Sequence, residues 1–269
     1  SDKLDILFSQ DVENIKNVDN ENIIKLSSNK LISSELIFDS RPPKIKQNKL
    51  VQHFLGIELE SDKSIFDKEK VTLMDFPETK SDIHFFYILP FTSKKALIES
   101  TYISENLFNK EDNINDIMSY VNNRYPDVKF TEKFREYGVI PMHQIDYKSK
   151  ILSVIKIGTA DNWVRKSSGY AFQNAFINSK IIVEQIINNK TIKIKKKRLT
   201  IILDHLFCIF LKKFPKESTH LFTSFFKNLK LEVIVRFLTE KNSFLDSLKV
   251  ILALPKFKML YCILFILKK

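Results

Sequence analysis

The spacing of apolar residues changes along the chain, and this change constrains the fold most. Over residues 1–105, short apolar runs alternate with clusters of Asn, Asp and Ser, which is typical of strands joined by turns. Beyond residue 199 the apolar residues recur at helical spacing, interrupted at Pro215, at Lys-Asn pairs and at Pro255. We therefore predict an α/β (α+β) fold with a strand-rich first part and an all-helical last part.

The predicted elements follow from this spacing. Strands are predicted over residues 4–8, 23–26, 35–39, 50–60, 71–76, 83–90, 96–103, 137–145 and 151–157. Helices are predicted over residues 112–125, 169–187, 199–214, 219–229, 231–239, 242–253 and 257–267. Gly56 inside the fourth strand indicates a bulge. No predicted helix offers the uncharged span of about 18 residues that a bilayer crossing needs, so we predict no transmembrane helix.

Glycine is scarce, so each glycine indicates a local backbone requirement. The four glycines are Gly56, Gly138, Gly158 and Gly169. A GxGxxG dinucleotide fingerprint cannot be built from glycines at these positions. Cys208 and Cys262 lie in apolar, helix-like runs without the spacing of metal ligands. We predict two buried thiols of a reducing compartment and no metal site.

The positive charge is concentrated in the last part of the chain. The whole chain has a net charge of +11. Residues 190–269 hold 18 Lys and Arg against 5 Asp and Glu, whereas residues 1–189 hold 25 against 27. The charge is densest over residues 190–198, where six of nine residues are basic.

A basic run followed by Phe-rich helices favours a membrane surface as partner, because lysines are attracted to anionic lipids and apolar helix faces enter the interface. We therefore predict a cytoplasmic protein attached peripherally to a membrane. Nucleic acid is the alternative partner for such a run, but no base-reading motif accompanies it, and we predict no nucleic-acid binding. A solvated linker is the third interpretation.

Residues 151–172 predict a strand, a turn at Gly158 and a helix that starts at Gly169. Gly158 and Ala160 are small enough for a ligand to approach the backbone closely. Ser167 and Ser168 are candidate caps of the helix. The free N–H groups of a helix N-terminus suit a phosphate or the carbonyl edge of a flavin. An ordinary strand–loop–helix connection is the alternative.

Glu99 is an acidic residue in a run that otherwise predicts a buried strand. Three apolar residues precede it, and Tyr102 and Ile103 follow shortly after. Apolar surroundings raise the pKa of a carboxyl because they disfavour its ionised form. A carboxyl that is protonated at neutral pH is a general acid. The alternative is a strand glutamate whose side chain faces water.

Seven short motifs in collinear order resemble those of the flavin-dependent lycopene cyclases of carotenoid biosynthesis. They span residues 36–172, and the helical tail is similar more weakly, at Leu203-Asp204 through Phe207 and at Val235-Arg236-Phe237-Leu238. The seven are Phe38-Asp39-Ser40-Arg41-Pro42-Pro43, Gln52-His53-Phe54-Leu55-Gly56, Val71-Thr72-Leu73-Met74-Asp75-Phe76, Phe86-Tyr87-Ile88-Leu89-Pro90-Phe91, residues 96–101, Glu136-Tyr137-Gly138-Val139-Ile140-Pro141-Met142, and residues 158–172.

The resemblance implies a two-domain flavoprotein fold akin to aromatic hydroxylases and a lycopene β-cyclase activity. In that reaction, which belongs to the isomerases, a proton adds to the terminal double bond of lycopene or another linear carotenoid. The next double bond attacks the cation, and a proton is lost. Reduced FAD is required, with NAD(P)H as the reductant, although there is no net redox change. The alternatives are a related FAD-dependent monooxygenase or oxidoreductase on another apolar substrate, and an inactive carotenoid- or membrane-binding remnant.

The resemblance also implies roles for individual residues. Glu99 is implied as the proton donor, with Asp75 and Glu136 as further catalytic carboxyls. Aromatic side chains stabilise cations through their ring faces, and those implied at the substrate are Phe85, Phe86 and Tyr87. The residues implied to bind the cofactor are Asp39, Arg41, Gly158, Thr159, Ala160, Ser168, Gly169 and Tyr170. The sequence departs from the family where Asp161-Asn162 replaces a glycine pair and Arg165-Lys166 replaces a basic residue and proline.

Three consecutive segments are implied for the chain. Residues 1–157 form a strand-rich substrate domain with part of the FAD-binding sheet, residues 158–190 a returning FAD-contact loop and helix, and residues 191–269 a basic linker and a helical, membrane-associating region. In the family, a strand–GxGxxG–helix unit precedes the point where this sequence begins. We therefore expect the C-terminal portion of a longer protein, without the N-terminal Rossmann βαβ unit.

Overall fold

A computed structural model describes residues 4–19, 21–77, 83–145, 149, 151–194 and 198–267 of the chain. Residues 195–197 of the basic run lie outside the described residues. The chain folds into two compact units, and each is built from two stretches of sequence. The first contains Ser1–Lys44 and Ile145–Trp163, and the second contains Ile45–Gln144 and Val164–Lys269. The assignment of three consecutive segments to substrate, cofactor and membrane stays a prediction.

The strands of the described chain are β1 (Val12–Val18), β2 (Glu21–Leu26), β3 (Leu31–Ser34), β4 (Ile37–Asp39), β5 (Val51–Ser61), β6 (Thr72–Asp75), β7 (Ile83–Pro90), β8 (Lys95–Ser104), β9 (Phe130–Pro141) and β10 (Val154–Lys156). The helices are α1 (Lys110–Arg124), α2 (Phe172–Ile187), α3 (Arg198–Lys213), α4 (Ser218–Asn228), α5 (Leu231–Leu238), α6 (Phe244–Ala253) and α7 (Lys256–Leu267).

The first unit contains a β1–β2–β3 antiparallel sheet and a parallel pair formed by β4 and β10. Buried Asn22 stabilises this unit, because its amide donates to the Glu35 carbonyl and accepts from Asn17 and Ser153. Strands β1 and β3 are largely exposed and polar, so they gave no apolar signal in the sequence. The predicted strand over residues 4–8 is wrong, since these exposed residues pair with no described strand.

The second unit is organised around an antiparallel sheet with the strand order β6–β7–β8–β5–β9. Successive side chains of a strand point to opposite faces. One face carries Leu55, Ile57 and Ile98 and is covered by α1, whose Ile117 and Val121 are fully buried. The other face carries a second apolar core that includes residues of α3–α7. Both faces of this sheet are therefore covered by helices.

The predicted bulge at Gly56 is wrong. Gly56 pairs regularly with both neighbouring strands, and the register shift lies between Glu58 and Leu59, where β5 meets β9. Strand β9 also begins seven residues before the predicted start at residue 137. Its first half is exposed and charged, so apolar alternation did not mark it.

The helical part confirms the predicted helices beyond residue 199, with shifts of one or two residues at their ends. Helix α2 begins three residues later than predicted, because Gly169 adopts a left-handed φ of +70°. The predicted serine caps are wrong as well. Ala171 occupies the N-cap position, the Ser167 hydroxyl donates to Asp204, and the Ser168 hydroxyl accepts from the Tyr170 N–H.

Within the described residues, no helix combines the length and the apolar character that spanning a bilayer requires. The same residues contain no group of His, Cys, Asp and Glu side chains arranged to hold a metal ion.

A buried ion pair joins the loop before α2 to the helices of the second unit. Arg165 Nη2 donates to Asp204 Oδ1 over 2.6 Å, and a second Arg165 nitrogen donates to the carbonyl of Phe237. The Arg165 guanidinium also lies 4.6 Å from the centre of the Phe237 ring. Burying a charge without its partner is costly, so this pair fixes the loop on α3 and α5.

Replacing Asp204 with asparagine is expected to lower the free energy of unfolding by about 3 kcal/mol, because the buried Arg165 charge loses its counter-ion. Urea denaturation at neutral pH measures this change. The exposed Glu232 on α5 offers a matched control, and Glu232→Gln is expected to change stability by less than about 0.5 kcal/mol. Equal stabilities of the two variants would contradict the assigned role of the pair.

Candidate active site

Four residues form one row across the sheet of the second unit. Glu99 on β8 is in register with Tyr87 on β7 and with Gly56 on β5. Gly56 is in turn in register with Glu136 on β9. Residues in register on adjacent strands share one face, so Tyr87, Glu99 and Glu136 all lie on the face opposite α1.

Gly56 separates the two carboxyl-bearing residues of this row. A Cβ atom added at Gly56 would lie 3.1 Å from both Cγ and Oε1 of Glu136, and 3.1 Å from Cδ1 of Leu97. The Glu136 side chain therefore leans over the glycine, toward the strand that carries Glu99. The missing side chain at position 56 is what leaves room for this approach.

The surroundings of Glu99 favour its neutral form. Burial, opposed by a hydrogen bond from Thr101 and assisted by the charge of Glu136, raises the pKa of the Glu99 carboxyl to about 7. The Thr101 hydroxyl donates to Glu99 Oε1 over 2.5 Å. A carboxyl with a pKa near neutrality exchanges protons readily under physiological conditions. Glu99 thus has the environment of a general acid.

An apolar cavity of about 460 Å³ lies in the second unit, on the same face of the sheet. Phe85, Tyr87 and Ile103 form its sheet wall, and its remaining wall comes mainly from α3–α7. Its polar lining comes from Gln52, Ser167, Ser168 and Tyr170, and from Asp204, which is paired with Arg165. This volume lies in the range of small-molecule sites.

Glu99 is not among the residues that line the cavity, but its neighbour Tyr87 is. Burial raises the pKa of the Tyr87 phenol, and the charge of Glu99 raises it further. The phenol and the carboxyl are therefore close enough to interact electrostatically. The acid lies beside the cavity, next to an aromatic residue of its wall.

The predicted aromatic residues divide between the two faces of the sheet. Phe85 and Tyr87 line the cavity, but Phe86 lies on the opposite face. There it stacks on Tyr120 of α1, with ring centres 4.1 Å apart. Three consecutive strand residues cannot share one face. Phe86 therefore does not line this cavity, and its predicted contact with a substrate stays a prediction.

Asp75 also lies apart from Glu99. Its carboxylate accepts hydrogen bonds from the Tyr120 hydroxyl over 2.6 Å and from Arg124 over 3.0 Å. Both donors belong to α1, so Asp75 ties β6 to the helix on the other face. The structure does not bring Asp75 together with Glu99 and Glu136.

In the first unit, Asp39 and Arg41 form a closed ion-pair cluster at the end of β4. Buried Asp39 accepts from the backbone N–H and the guanidinium of Arg41, and from Lys156 on β10. Hydrogen bonds from Arg41 and Lys156 hold the pKa of Asp39 well below its usual range, despite its burial. The remaining Arg41 terminal nitrogen donates to the Val12 carbonyl over 3.1 Å. These two side chains shape the strand end.

Gly158, Thr159 and Ala160 follow β10 in the same unit as a short 3₁₀ turn. Gly158 has a φ of +61°, and a Cβ atom added there would meet no atom within 4 Å. The backbone of this turn is therefore open to a ligand on that side. Such open backbone at a tight turn fits the close approach of a nucleotide cofactor.

Asp161 and Asn162, which replace the family's glycine pair, stabilise this turn. Asp161 accepts a hydrogen bond from the Trp163 indole over 2.9 Å. The Asn162 amide pairs with both backbone groups of Ile145, at 2.7 and 3.0 Å. Both side chains are thus held by partners within the unit, and the space beside Gly158 is left open.

Ser168, Gly169 and Tyr170 belong to the second unit. A Cβ atom added at Gly169 would lie 3.2 Å from the Gln52 amide oxygen and 3.2 Å from Ile140. Glycine is therefore needed for the loop to pack on β5 and β9. Ser168 and Tyr170 line the apolar cavity, which places them on the same cavity as Phe85 and Tyr87.

Sequence reasoning missed several parts of this site. It did not identify Thr101 as the hydrogen-bond donor to Glu99, nor Gly56 as the gap that Glu136 occupies. The rarity of glycine did mark position 56, but strand register was needed to show its two carboxyl neighbours. The helical residues that line the cavity were not identified, because their apolar spacing in the sequence is the same as that of an ordinary helical core.

The raised pKa of Glu99 predicts a specific dependence of stability on pH. The folded protein holds this proton more tightly than the unfolded chain, whose carboxyl has a pKa of 4.5. The free energy of unfolding is therefore expected to fall as the pH rises from about 4.5 to about 7, by roughly 3 kcal/mol in total. Glu99→Gln removes this contribution.

Urea denaturation of the wild type and of Glu99→Gln between pH 4 and pH 8 measures this contribution as the difference between their free energies of unfolding. Glu132→Gln, at an exposed position on β9, is expected to follow the wild-type curve. Parallel curves for the wild type and Glu99→Gln would show that Glu99 titrates normally.

Comparisons with known proteins place the chain in a family. The sequence matches the family described as "Lycopene cyclase protein" over residues 3–263. A search of curated proteins found no match.

Among solved structures, the chain is similar to a geranylgeranyl bacteriochlorophyll reductase-like protein from Thermoplasma acidophilum, with a TM-score of 0.50 and 10% identity. That likeness covers 94% of this chain and 66% of the other. The rebeccamycin biosynthetic enzyme RebC with reduced flavin gives a TM-score of 0.47 and 10% identity, over 67% of this chain and 36% of that chain. The halogenase PltM in complex with FAD gives 0.42 and 11%, over 75% and 46%.

The likeness to the reductase-like protein shows a shared fold, and the predicted α/β fold class is confirmed. The chain spans just under two thirds of that protein's length. The family match covers nearly every residue of the sequence, so the chain belongs to the lycopene cyclase family.

Proposed function

We propose that this protein has a carotenoid cyclase role and closes the linear ends of lycopene into β-ionone rings by acid catalysis. The observation that carries the proposal is the half-buried Glu99 carboxyl, with a pKa of about 7, beside an apolar cavity. Protonating an alkene requires a neutral acid in a site that excludes water. Membership of the lycopene cyclase family supports the same reaction class.

The proposed reaction balances without a net change in protons or electrons. The Glu99 carboxyl gives its proton to the terminal double bond, which becomes a tertiary cation. The electron pair of the next double bond closes a carbon–carbon bond of the ring, and the ring then loses one proton. The Glu99 carboxylate takes this proton back as the base. Glu136 lies in the same row, on the far side of Gly56.

The cavity wall supplies a suitable environment for the cation. Phe85 and Tyr87 present aromatic rings on the face that carries Glu99. Ring faces attract cations, and the attraction is stronger where water is excluded. The neutral phenol of Tyr87, whose pKa is raised by burial, keeps this wall uncharged.

A flavin is proposed as the cofactor, in its reduced form and with NAD(P)H as the reductant. Reduced FAD, when bound, supplies an electron-rich ring system that stabilises positive charge in the substrate. The open backbone at Gly158, Thr159 and Ala160 is proposed to approach the cofactor, above the strand-end turn held by Asp39 and Arg41.

Expression of the whole gene product in cells that accumulate lycopene tests the activity. Wild-type protein is expected to convert the red pigment to orange cyclic carotenoids, resolved by chromatography. Glu99→Gln is expected to lower the cyclic product at least about 100-fold, since an amide cannot donate the proton. Glu132→Gln serves as the matched control and is expected to retain wild-type conversion.

Unchanged lycopene with soluble, flavin-loaded wild-type protein would refute the cyclase proposal. Oxygen consumption coupled to NAD(P)H oxidation would instead identify a monooxygenase, because cyclisation consumes no oxygen. Full conversion by Glu99→Gln would remove Glu99 from the acid role and leave the cyclase activity standing.

The pKa of Glu99 also predicts the pH dependence of the rate. The protonated carboxyl is the donor, so turnover is expected to decline about tenfold for each pH unit above about 7 and to level off below it. Initial rates on dispersed lycopene between pH 5 and pH 9 measure this profile. A rate that rises with pH across this range would contradict proton donation by Glu99.

A further inference from the structure

The last two helices expose apolar residues where a soluble helix normally has its polar face. On α6, Leu245, Leu248 and Leu252 are exposed, and on α7, Phe257, Leu260, Tyr261 and Leu264 are exposed. Each set follows the i, i+3 or i+4, i+7 spacing of one helix face. The opposite faces are also apolar and contribute Val250, Met259 and Cys262 to the core. A helix with apolar residues on its outer face as well as on its core face is expected to have the outer face covered too.

The apolar cavity reaches the surface at these two helices. Ile251 of α6 and Ile263 of α7 line the cavity, and each is also 37% exposed. Phe226 of α4 likewise lines the cavity and is exposed. The mouth of the cavity therefore opens within the exposed apolar surface, which we call the α6–α7 face.

The charges around the α6–α7 face select its partner. Lys241, Lys249 and Lys256 are exposed, whereas the acidic Asp246 is buried in a pair with Arg236. Lys249 lies on the same helix face as Leu245 and Leu252, where its long apolar stem can cover apolar surface while the ammonium reaches outward. Two copies of this face would repel each other, whereas an anionic lipid surface attracts it.

The dimensions of the helices favour lying on a bilayer. Helix α6 has 10 residues and α7 has 12, about half the number required to cross the hydrocarbon core. Short helices with apolar faces and flanking lysines enter the interface between headgroups and acyl chains.

We propose that the α6–α7 face docks on an anionic lipid bilayer, and that the cavity mouth at Ile251 and Ile263 takes up a hydrocarbon substrate from it. The uptake part rests on the proposed function, and the docking part does not. Docking in this way corresponds to the peripheral membrane location on the cytoplasmic side that the basic helical region predicts.

Vesicle flotation of the purified whole protein, without carotenoid, tests docking. Binding to phosphatidylcholine vesicles that contain phosphatidylserine is expected to drop at least about tenfold in Phe257→Ser/Leu260→Ser. The exposed fractions of these two residues are 91% and 53%. Phe91→Ser/Phe134→Ser is a matched control, because these residues lie in the same unit outside α6 and α7 and are 54% and 56% exposed, and it is expected to bind as wild type.

The lysines provide an independent variant that leaves the apolar surface unchanged. Lys249→Gln/Lys256→Gln is expected to weaken binding to the phosphatidylserine vesicles about 30-fold, and to have little effect on vesicles of phosphatidylcholine alone. Equal loss on both vesicle types would overturn the assignment of these lysines to an anionic surface.

Fluorescence locates the cavity mouth relative to the bilayer. The single tryptophan, Trp163, is buried, so a second tryptophan is a usable probe. Ile263→Trp is expected to be quenched by brominated lipids, whereas Phe91→Trp, between β7 and β8 of the same unit, is not. Absence of quenching at position 263 would overturn the docking geometry. Wild-type flotation that persists undiminished in Phe257→Ser/Leu260→Ser would overturn it as well.

Two further outcomes separate the possibilities. A dimer found by light scattering, lost in Phe257→Ser/Leu260→Ser, with no vesicle binding, would show that a second copy covers the face and would overturn the proposal.

With active protein, the same variant is expected to lose turnover of lycopene in vesicles but to retain it in detergent. Equal loss in both would overturn uptake through the mouth, whereas an inactive wild type that still floats would contradict only the proposed function.

Discussion

The sheet of the second unit has two buried faces, and the rest of the site depends on this double covering. Helix α1 closes one face, and α3–α7 close the other around an apolar cavity. Where a face is covered, a carboxyl is shielded from water, and its ionised form is penalised. Glu99 lies on the face with the cavity, and the penalty on its ionised form raises its pKa to about 7. The fold thereby converts an ordinary glutamate into a reactive acid.

The second unit holds its loop before α2 by an interaction of the opposite kind. Arg165 and Asp204 form a buried ion pair, Arg165 also donates a hydrogen bond to the Phe237 carbonyl, and Asp204 also accepts one from the Ser167 hydroxyl. The same loop presents Ser168 and Tyr170 to the cavity. At Glu99 the ionised carboxyl lacks a cationic partner among the described residues, so burial raises its pKa and makes it reactive. At Arg165 the buried charge has a partner in Asp204, so the pair holds the loop in place.

The proposals about substrate and membrane meet in the helical part. Helices α6 and α7 contribute Val250 and Met259 to the core, Ile251 and Ile263 to the cavity mouth, and a leucine- and phenylalanine-rich surface to the outside. An apolar substrate that dissolves in lipid and not in water has to pass from one apolar phase to another. A continuous apolar surface from outside to cavity is the physical requirement for that passage, and it supports both proposals together.

The sequence alone determined the fold class, the predicted helices beyond residue 199 and the family, because apolar spacing and short ordered motifs are local properties. It also marked Glu99, since one acidic residue among strand-forming apolar residues is visible locally. Only the tertiary structure shows that Phe86 lies on the face opposite Phe85 and Tyr87, and that the Asp75 carboxylate bonds to α1. It also shows that Gly56 lies between Glu99 and Glu136. Those outcomes depend on strand register and on what covers each face, which are decided by contacts between residues distant in sequence.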